Sequence, residues 1–267
     1  MRTLAHLSDL HFGRVDPGLL APLTRRLHTL APHVVVVSGD LTQRAKSAQF
    51  RDARRFLDAL PGRLLAVPGN HDVPLYNVFQ RFFQPLAKYR RYISRDTEPV
   101  YLDEEVAIVG VNTARSAVFK GGRVNAAQLS RIAGTFSALA PDVVKIVATH
   151  HPFDLPAGHD NRSLVGRARL AMDAFAACGA DILLAGHLHA SHVGDTAARY
   201  PSAAYSALVV QAGTATSVRG RGEPNSFNLL RVERDRVNIE RYAWTGRDFD
   251  MASHASYLRA AGAWRTR

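Results

Sequence analysis

Five short stretches end in side chains of one chemical kind. SDLH places Asp9 and His11, SGD places Asp40, PGNHD places Asn70, His71 and Asp72, THHP places His150 and His151, and AGHLH places His187 and His189. A single Asp after an apolar run is ordinary, because Asp favours turns and N-caps. Five endings drawn only from Asp, Asn and His are a set. Oxygen and imidazole donors without thiolate suit Mn, Fe, Co or Zn. Asp9 and His11 are two residues apart, as are His187 and His189. In an extended chain such neighbours point the same way, so each pair is expected to grip one ion. Asp40 follows Gly39, which lets backbone come close, and is the choice for a carboxylate bridging two ions. Asn70 offers a neutral amide oxygen. Two divalent cations, two carboxylates and a bridging hydroxide leave a centre of about +1, which attracts an anion such as phosphate.

Secondary structure has to gather these residues. TLAHLS (3–8), VVVVS (34–38), LLAVP (64–68), VVKIVAT (143–149) and DILLA (181–185) read as strands, several of them apolar on both faces. Between them Leu20, Leu23, Leu27 and Leu30, and then Phe50, Ala53, Leu57 and Leu60, recur at helical spacing. VYL (100–102) and VAIVGVN (106–112) pair as a hairpin about residues 103–105, and 125–139 and 164–178 read as helices. Residues 74–95 are helical or irregular. Their aromatics (Tyr76, Phe79, Phe82, Phe83, Tyr89, Tyr92) are expected in core packing or a dimer contact. Beyond residue 190 the pattern becomes a β-meander through SHVGD, YSALVVQAG, SFNLLRVE and RVNIERYAW. βαβ units followed by a meander predict one α/β domain with mixed sheets over residues 1–250, with 251–267 as a helical or frayed tail. In such proteins ligands bind at the carboxyl ends of the strands. The loop-like segments are 113–124, 152–163 and 214–226.

The 267 residues are 46% apolar and carry a formal charge of +11, from thirty arginines and only four lysines against 23 acids. That balance fits either a solvated basic face or an anionic partner, and no Lys/Arg block tracks a groove, so nucleic acid is not indicated. Lone Cys178 excludes an intrachain disulfide and a cysteine-built zinc site. No apolar stretch reaches about 18 residues, so no transmembrane helix is expected. MRTLAHLSD enters a strand without a signal-peptide core, and the expected location is cytoplasmic. A homo-oligomer stays open.

In their order, DLH, GDLT, GNHD, HHP and GHLH resemble the calcineurin-like metallophosphoesterase superfamily, from Asp9 to His189, about two-thirds of the chain. The resemblance implies a four-layer αββα sandwich of two mixed β-sheets flanked by helices, with a dinuclear metal site (Mn, Fe, Zn or Co) at the strands' carboxyl ends. Asp9, His11, Asp40 and His189 would hold one ion, and Asp40, Asn70, His150 and His187 the other. His71 would stand near the leaving group, oriented by Asp72, and a metal-bridging hydroxide would hydrolyse a phosphate ester. His150 and His151 face opposite sides of an extended chain, so one is expected to be a ligand. The family pattern favours His150, leaving His151 to pack or to contact substrate. Further candidates for the substrate cleft are Arg219 and Arg221 in GTATSVRGRGEPNSFN, Asn112 and Arg115 in VNTAR, and His159. His6, inside the first strand, reads as a core histidine.

GDLTQRA and GNHD depart from the GDxVDRG and GNHE of protein phosphatases in this superfamily. His71 stands where the UDP-diacylglucosamine pyrophosphatases typically have Arg, and the GDLFD of repair nucleases is absent. The nearest likeness is to small bacterial phosphodiesterases acting on cyclic nucleotides or glycerophosphodiesters, which implies a small phosphorylated substrate. A lipid or nucleotide-sugar pyrophosphate hydrolase, and a non-catalytic metal-binding scaffold, are the alternatives.

Overall fold

A computed structural model of the chain describes residues 1–118, 121–156, 158–201, 205–220, 222–260 and 263–266. The alternation of apolar residues explains its layering. In β2 (Val34–Ser38) all four valines are fully buried, yet they serve two different cores. Val35 and Val37 join Ala5 and Leu7 of β1 (Arg2–Leu7) and Ala66 of β3 (Arg63–Val67) against two helices. These are α1 (Pro17–Leu30), through Leu19, Leu23 and Leu27, and α2 (Ser47–Asp58), through Phe50, Phe56 and Leu57. Val34 and Val36 point the other way, with Leu4 and Leu65, because successive residues of a strand alternate faces. There they meet a second sheet: Val106 and Ile108 of β5 (Val106–Val111), Ile146 and Ala148 of β6 (Val144–Thr149), and Ile182 and Leu184 of β7 (Ile182–Ala185). The outer face of that sheet packs Val109, Val147 and Leu183 against α5 (Ala126–Ser137) and α6 (Ala168–Cys178). Helix, sheet, sheet, helix is the expected order of layers.

Both sheets are mixed. The first runs β13 (Ala263–Thr266), β12 (Phe249–Ala260), β11 (Arg236–Trp244), β10 (Ser226–Val232), β1, β2, β3, with β1, β2 and β3 parallel and β10 antiparallel to β1. The second runs β4 (Val100–Leu102), β5, β6, β7, β9 (Leu208–Gln211), β8 (His192–Asp195), with β5, β6, β7 and β9 parallel. Its edges are β4 (Val100–Leu102), hairpinned to β5 as expected, and β8 (His192–Asp195). No described helix is long and apolar enough to cross a membrane.

One expectation needs correcting, and another divides. The described residues of the tail form strands rather than a helix: β11 (Arg236–Trp244) pairs antiparallel with β12 (Phe249–Ala260), which pairs with β13 (Ala263–Thr266). Most of β12's side chains are at least partly exposed, so its apolar pattern is faint and backbone pairing holds it. The aromatics of 76–92 also divide. Tyr89, on α4 (Ala87–Tyr92), is buried with its hydroxyl donating to the Ala66 carbonyl, and Tyr92 packs on Phe50. Tyr76 and, on α3 (Val78–Phe83), Phe79, Phe82 and Phe83 are instead exposed.

Candidate metal centre

The parallel strands β1, β2, β3, β6 and β7 end at Leu7, Ser38, Val67, Thr149 and Ala185, and the polar residues follow those ends onto one rim. They are not presented by extended chain. Asp9, His11, Asp40, His187 and His189 all have left-handed backbones, with φ between 49° and 72°. Each such residue costs on the order of 1–3 kcal/mol and persists only where its surroundings fix it. The fixing is visible. Asp9 N–H donates to the Gly39 carbonyl and His11 N–H to the Asp40 carbonyl, stitching two loops together. The hydroxyls of Thr214 and Thr216 donate to the carbonyls of Asp9 and Leu10. Thus the Gly/Thr/Ser run after β9 buttresses the first loop. Gly39 has φ 90°, and a Cβ there would lie 2.7 Å from His150 Nδ1. The expected close approach is therefore toward an imidazole.

Asp40 is the hinge of the constellation. Its Oδ1 accepts from His71 N–H at 2.8 Å, while Oδ2 lies 3.7 Å from His11 Nε2 and 3.4 Å from His150 Nε2. On the His11 side, Asp9 Oδ1 is 3.5 Å from His11 Nε2 and 3.3 Å from His189 Nε2, and those nitrogens are 3.1 Å apart. On the other side, His150 Nε2 is 3.1 Å from Asn70 Oδ1 and 3.3 Å from His187 Nδ1. Metal–ligand bonds of about 2.0–2.2 Å leave donors of one coordination shell about 3.0–3.6 Å apart, which matches these separations. Asp9 Oδ1 is buried without a hydrogen-bond partner among the described residues. Such an atom is costly unless something satisfies it, and a bound cation would.

For two of the rings the second nitrogen sets the direction. His150 Nδ1–H donates to the Ser38 carbonyl (2.8 Å) and His189 Nδ1–H to the Arg219 carbonyl (3.1 Å), turning both Nε2 atoms toward the centre of the cluster. Burial would raise the Asp9 and Asp40 carboxyls. The imidazoles around them, His189 and His11 at Asp9, His150 and His11 at Asp40, outweigh it and hold both below the usual carboxylate range. Burial opposes charge on His150, but Asp40 and Asp9 lift it to about 9; burial and the nearby His150 push His187 down to about 4.

Seven residues therefore converge: Asp9, His11, Asp40, Asn70, His150, His187 and His189. His71 stands at their edge, its Nδ1–H donating to the Gln43 carbonyl (2.9 Å) and its Nε2 accepting from Arg219 Nη1 (3.2 Å). A cavity of about 460 Å³ opens over the group, its far wall built by Asp160, Arg162 and Ser163.

Other expectations meet a different structure. Asp72 does not touch the His71 ring. Its carboxylate accepts from the N–H groups of Leu41, Thr42 and Gly69 and from the Thr42 hydroxyl, clamping the two loops that carry Asp40 and Asn70. Burial and the Asp40 charge raise it to about 6. His151 is brought beside His150 and His187 (ring centroids 4.8 and 4.7 Å) because the chain bends after Thr149. It is fully buried, with Nδ1 at 2.8 Å from the Thr113 hydroxyl, and so is not a substrate contact. Asn112 and Arg115 do not line the cavity: the Arg115 guanidinium donates to the carbonyls of Asn112 and Ala114 and to Gln128, bracing a loop against α5. His159 is likewise absent from the lining, and Arg221 lies outside the described residues. Sequence reasoning missed Gln43, whose only signal was its place in GDLTQ, and the Asp160–Ser163 wall, flagged only as part of a loop.

The profile described as Calcineurin-like phosphoesterase matches residues 2–191. A cAMP/cGMP dual specificity phosphodiesterase of Mycobacterium tuberculosis is 28% identical over 262 residues, spanning 88% of this chain and 77% of that protein. The glycerophosphodiester phosphodiesterase GpdQ of Enterobacter lignolyticus is 38% identical over 80 residues, 26% of this chain and 29% of that one. A crystallised dimetal phosphatase from Danio rerio shares the fold, with a TM-score of 0.66 at 13% identity over 94% of this chain and 98% of its own. A family match that runs over most of the chain and takes in every rim residue through His189 means that this protein belongs to the calcineurin-like phosphoesterases and is a phosphoric ester hydrolase.

Proposed function

We propose that the protein hydrolyses small phosphodiesters, of the cyclic-nucleotide or glycerophosphodiester type, at a centre holding two divalent cations. The observation that carries the reading is Asp40 Oδ2, which faces His11 on one side and His150 on the other. Asp9, His11, Asp40 and His189 would hold one ion, and Asp40, Asn70, His150 and His187 the second; His151 and Asp72 position the loops behind them. When bound, such a pair lowers the pKa of water toward about 7 and polarises phosphoryl oxygens. The protein's own residues do the rest. Arg219 offers a guanidinium to a phosphate oxygen at the cavity wall. His71 Nε2 is the atom able to hand a proton to the departing alkoxide. In the free protein burial lowers the His71 pKa and the Arg219 charge adds to that. An entering phosphate anion opposes the second cause and so favours a proton on Nε2. The two phosphodiesterase relatives support the substrate class.

The test is a screen of Mn-loaded protein with a phosphomonoester, a linear diester, cyclic AMP and a nucleotide-sugar pyrophosphate, alongside metal analysis. The expected result is about two ions per chain and faster turnover of a diester than of the others. Preference for the pyrophosphate would overturn the substrate class. Two bound ions without hydrolysis would favour the scaffold reading.

A further inference from the structure

The short helix α3 is inside out. Its one charged side chain, Arg81, is only 2% exposed and points into the protein. There its guanidinium donates to the carbonyls of Ser116 (2.7 Å), Pro74 (3.1 Å) and Val118 (3.1 Å). The opposite face carries Val78, Phe79, Phe82 and Phe83, which are 64%, 69%, 53% and 72% exposed, and Tyr76 just before them is 78% exposed. Positions i, i+1, i+4 and i+5 share one face of a helix, so this is one patch. Phe79 and Phe83 pack on each other at 4.8 Å between ring centroids. A contiguous exposed apolar patch on a soluble face marks an interaction site, and three carbonyls on Arg81 hold this one facing outward.

Charge identifies the partner. From residue 73 to 95 the chain has five cationic residues, Arg81, Lys88, Arg90, Arg91 and Arg95, and no Asp or Glu. Arg90, Arg91 and Arg95 are exposed, and the Arg44 guanidinium lies over the Tyr76 ring at 5.6 Å. A second copy docking face to face would set like charges together in a molecule of net charge +11. An anionic bilayer offers the complement to both features. Aromatic side chains settle at the headgroup–acyl boundary while neighbouring Arg and Lys meet acidic lipid headgroups. We propose that Tyr76 and the outer face of α3 form a docking surface for an anionic phospholipid membrane. The site adjoins the metal centre: Leu75 and Arg81 line a cavity of about 230 Å³ together with Asn70, His71 and Arg219. Docking therefore sets the flank of the cleft against the bilayer, whichever ester is cleaved.

The test is co-sedimentation of the full chain with vesicles of phosphatidylcholine alone or of phosphatidylcholine with phosphatidylglycerol. The protein is expected to pellet with the phosphatidylglycerol vesicles, less so as salt rises. Phe79→Ser/Phe83→Ser is expected to weaken partitioning by about 100-fold, at about 10-fold per ring. Arg90→Glu/Arg91→Glu is expected to weaken it and flatten its salt dependence. Both variants should keep the parent's thermal melt and its turnover of a soluble diester, since they alter exposed side chains away from the metal ligands. Absence of pelleting, equal binding to both vesicle types, or full binding by the Phe variant would overturn the proposal. So would sedimentation equilibrium showing a dimer that the Phe variant turns into a monomer, which would make the patch a self-interface.

Discussion

In the proposed reaction His71 is the residue on which the chemistry turns, because its two nitrogens would have separate duties. Nδ1–H is committed to the Gln43 carbonyl, so only Nε2 is left for a substrate. His71→Ala is expected to retain the metal content of the parent, since His71 contributes no inward-facing donor. It should lose about 10²–10³-fold in kcat on diesters with alkyl leaving groups and far less on nitrophenyl diesters, whose leaving groups need no proton. A plot of rate against leaving-group pKa for the two proteins checks this. A second histidine acts on stability. His6 is buried in β1 with Nε2 on the Ser38 hydroxyl and Nδ1 lacking a partner among the described residues. Burial pushes its pKa down to about 3. The unfolded chain takes up this proton near the ordinary value of about 6.5, and the folded one does not. The stability from neutral His6 is therefore fully present above about pH 6.5 and is lost as pH falls toward 3. Between pH 6.5 and 5 that loss is about 2 kcal/mol. Urea melts at the two pH values should show the drop in the parent and a smaller one in His6→Gln.

At the scale of elements, the rim depends on how closely loops can pass. Gly69, between β3 and Asn70, has no room for a side chain: a Cβ would collide with Asp40 Oδ1 and the Asp40 backbone N, and lie 2.8 Å from Asp40 Cγ. Gly69→Ala should thus displace the carboxylate that joins the two halves of the centre. The expected outcome is loss of bound metal and at least about 100-fold in activity, with the far-ultraviolet dichroism of the parent. Gly134 is the contrast. It lies on the exposed face of α5 with nothing within 4 Å of an added Cβ. Gly134→Ala should leave activity unchanged and raise stability by about 0.5–1 kcal/mol, measured by denaturant unfolding, because alanine loses less backbone entropy in a helix.

At the scale of the whole molecule, the last two strands tie the sheets together. Trp264 of β13 is buried between them, its indole N–H donating to Asp181 Oδ1 (3.2 Å) at the start of β7. Arg259 of β12 pairs with the same Asp181 oxygen (2.7 Å) and lies over the Trp264 ring. Asp181 in turn accepts the backbone N–H of Lys145 in β6. Trp264→Ala removes the ring and leaves part of this network unpaired, so it is expected to cost about 3–5 kcal/mol in urea unfolding. Because the rim lies at the other ends of these strands, KM should stay within about twofold of the parent wherever the variant is folded.

Residue type and order alone picked out the Asp, Asn and His residues that the fold gathers on one rim and, through the motif resemblance, the layering, because a divalent centre would admit few donor types and buried parallel strands need apolar residues on both faces. The sequence could not tell that Asp9, His11, Asp40, His187 and His189 adopt left-handed backbones, since the contacts that hold them there come from loops far apart in the chain. Asp72 and Arg115 were misread for a related reason: a carboxylate or guanidinium beside a motif looks like chemistry until its partners are known, and here the partners are backbone groups, a threonine hydroxyl and a glutamine. The tail was illegible because β12 is held by backbone pairing more than by apolar side chains, and pairing leaves no pattern in a sequence. Only the tertiary structure decided which face of α3 turns outward, because the carbonyls that draw Arg81 inward include Ser116 and Val118, more than thirty residues along the chain.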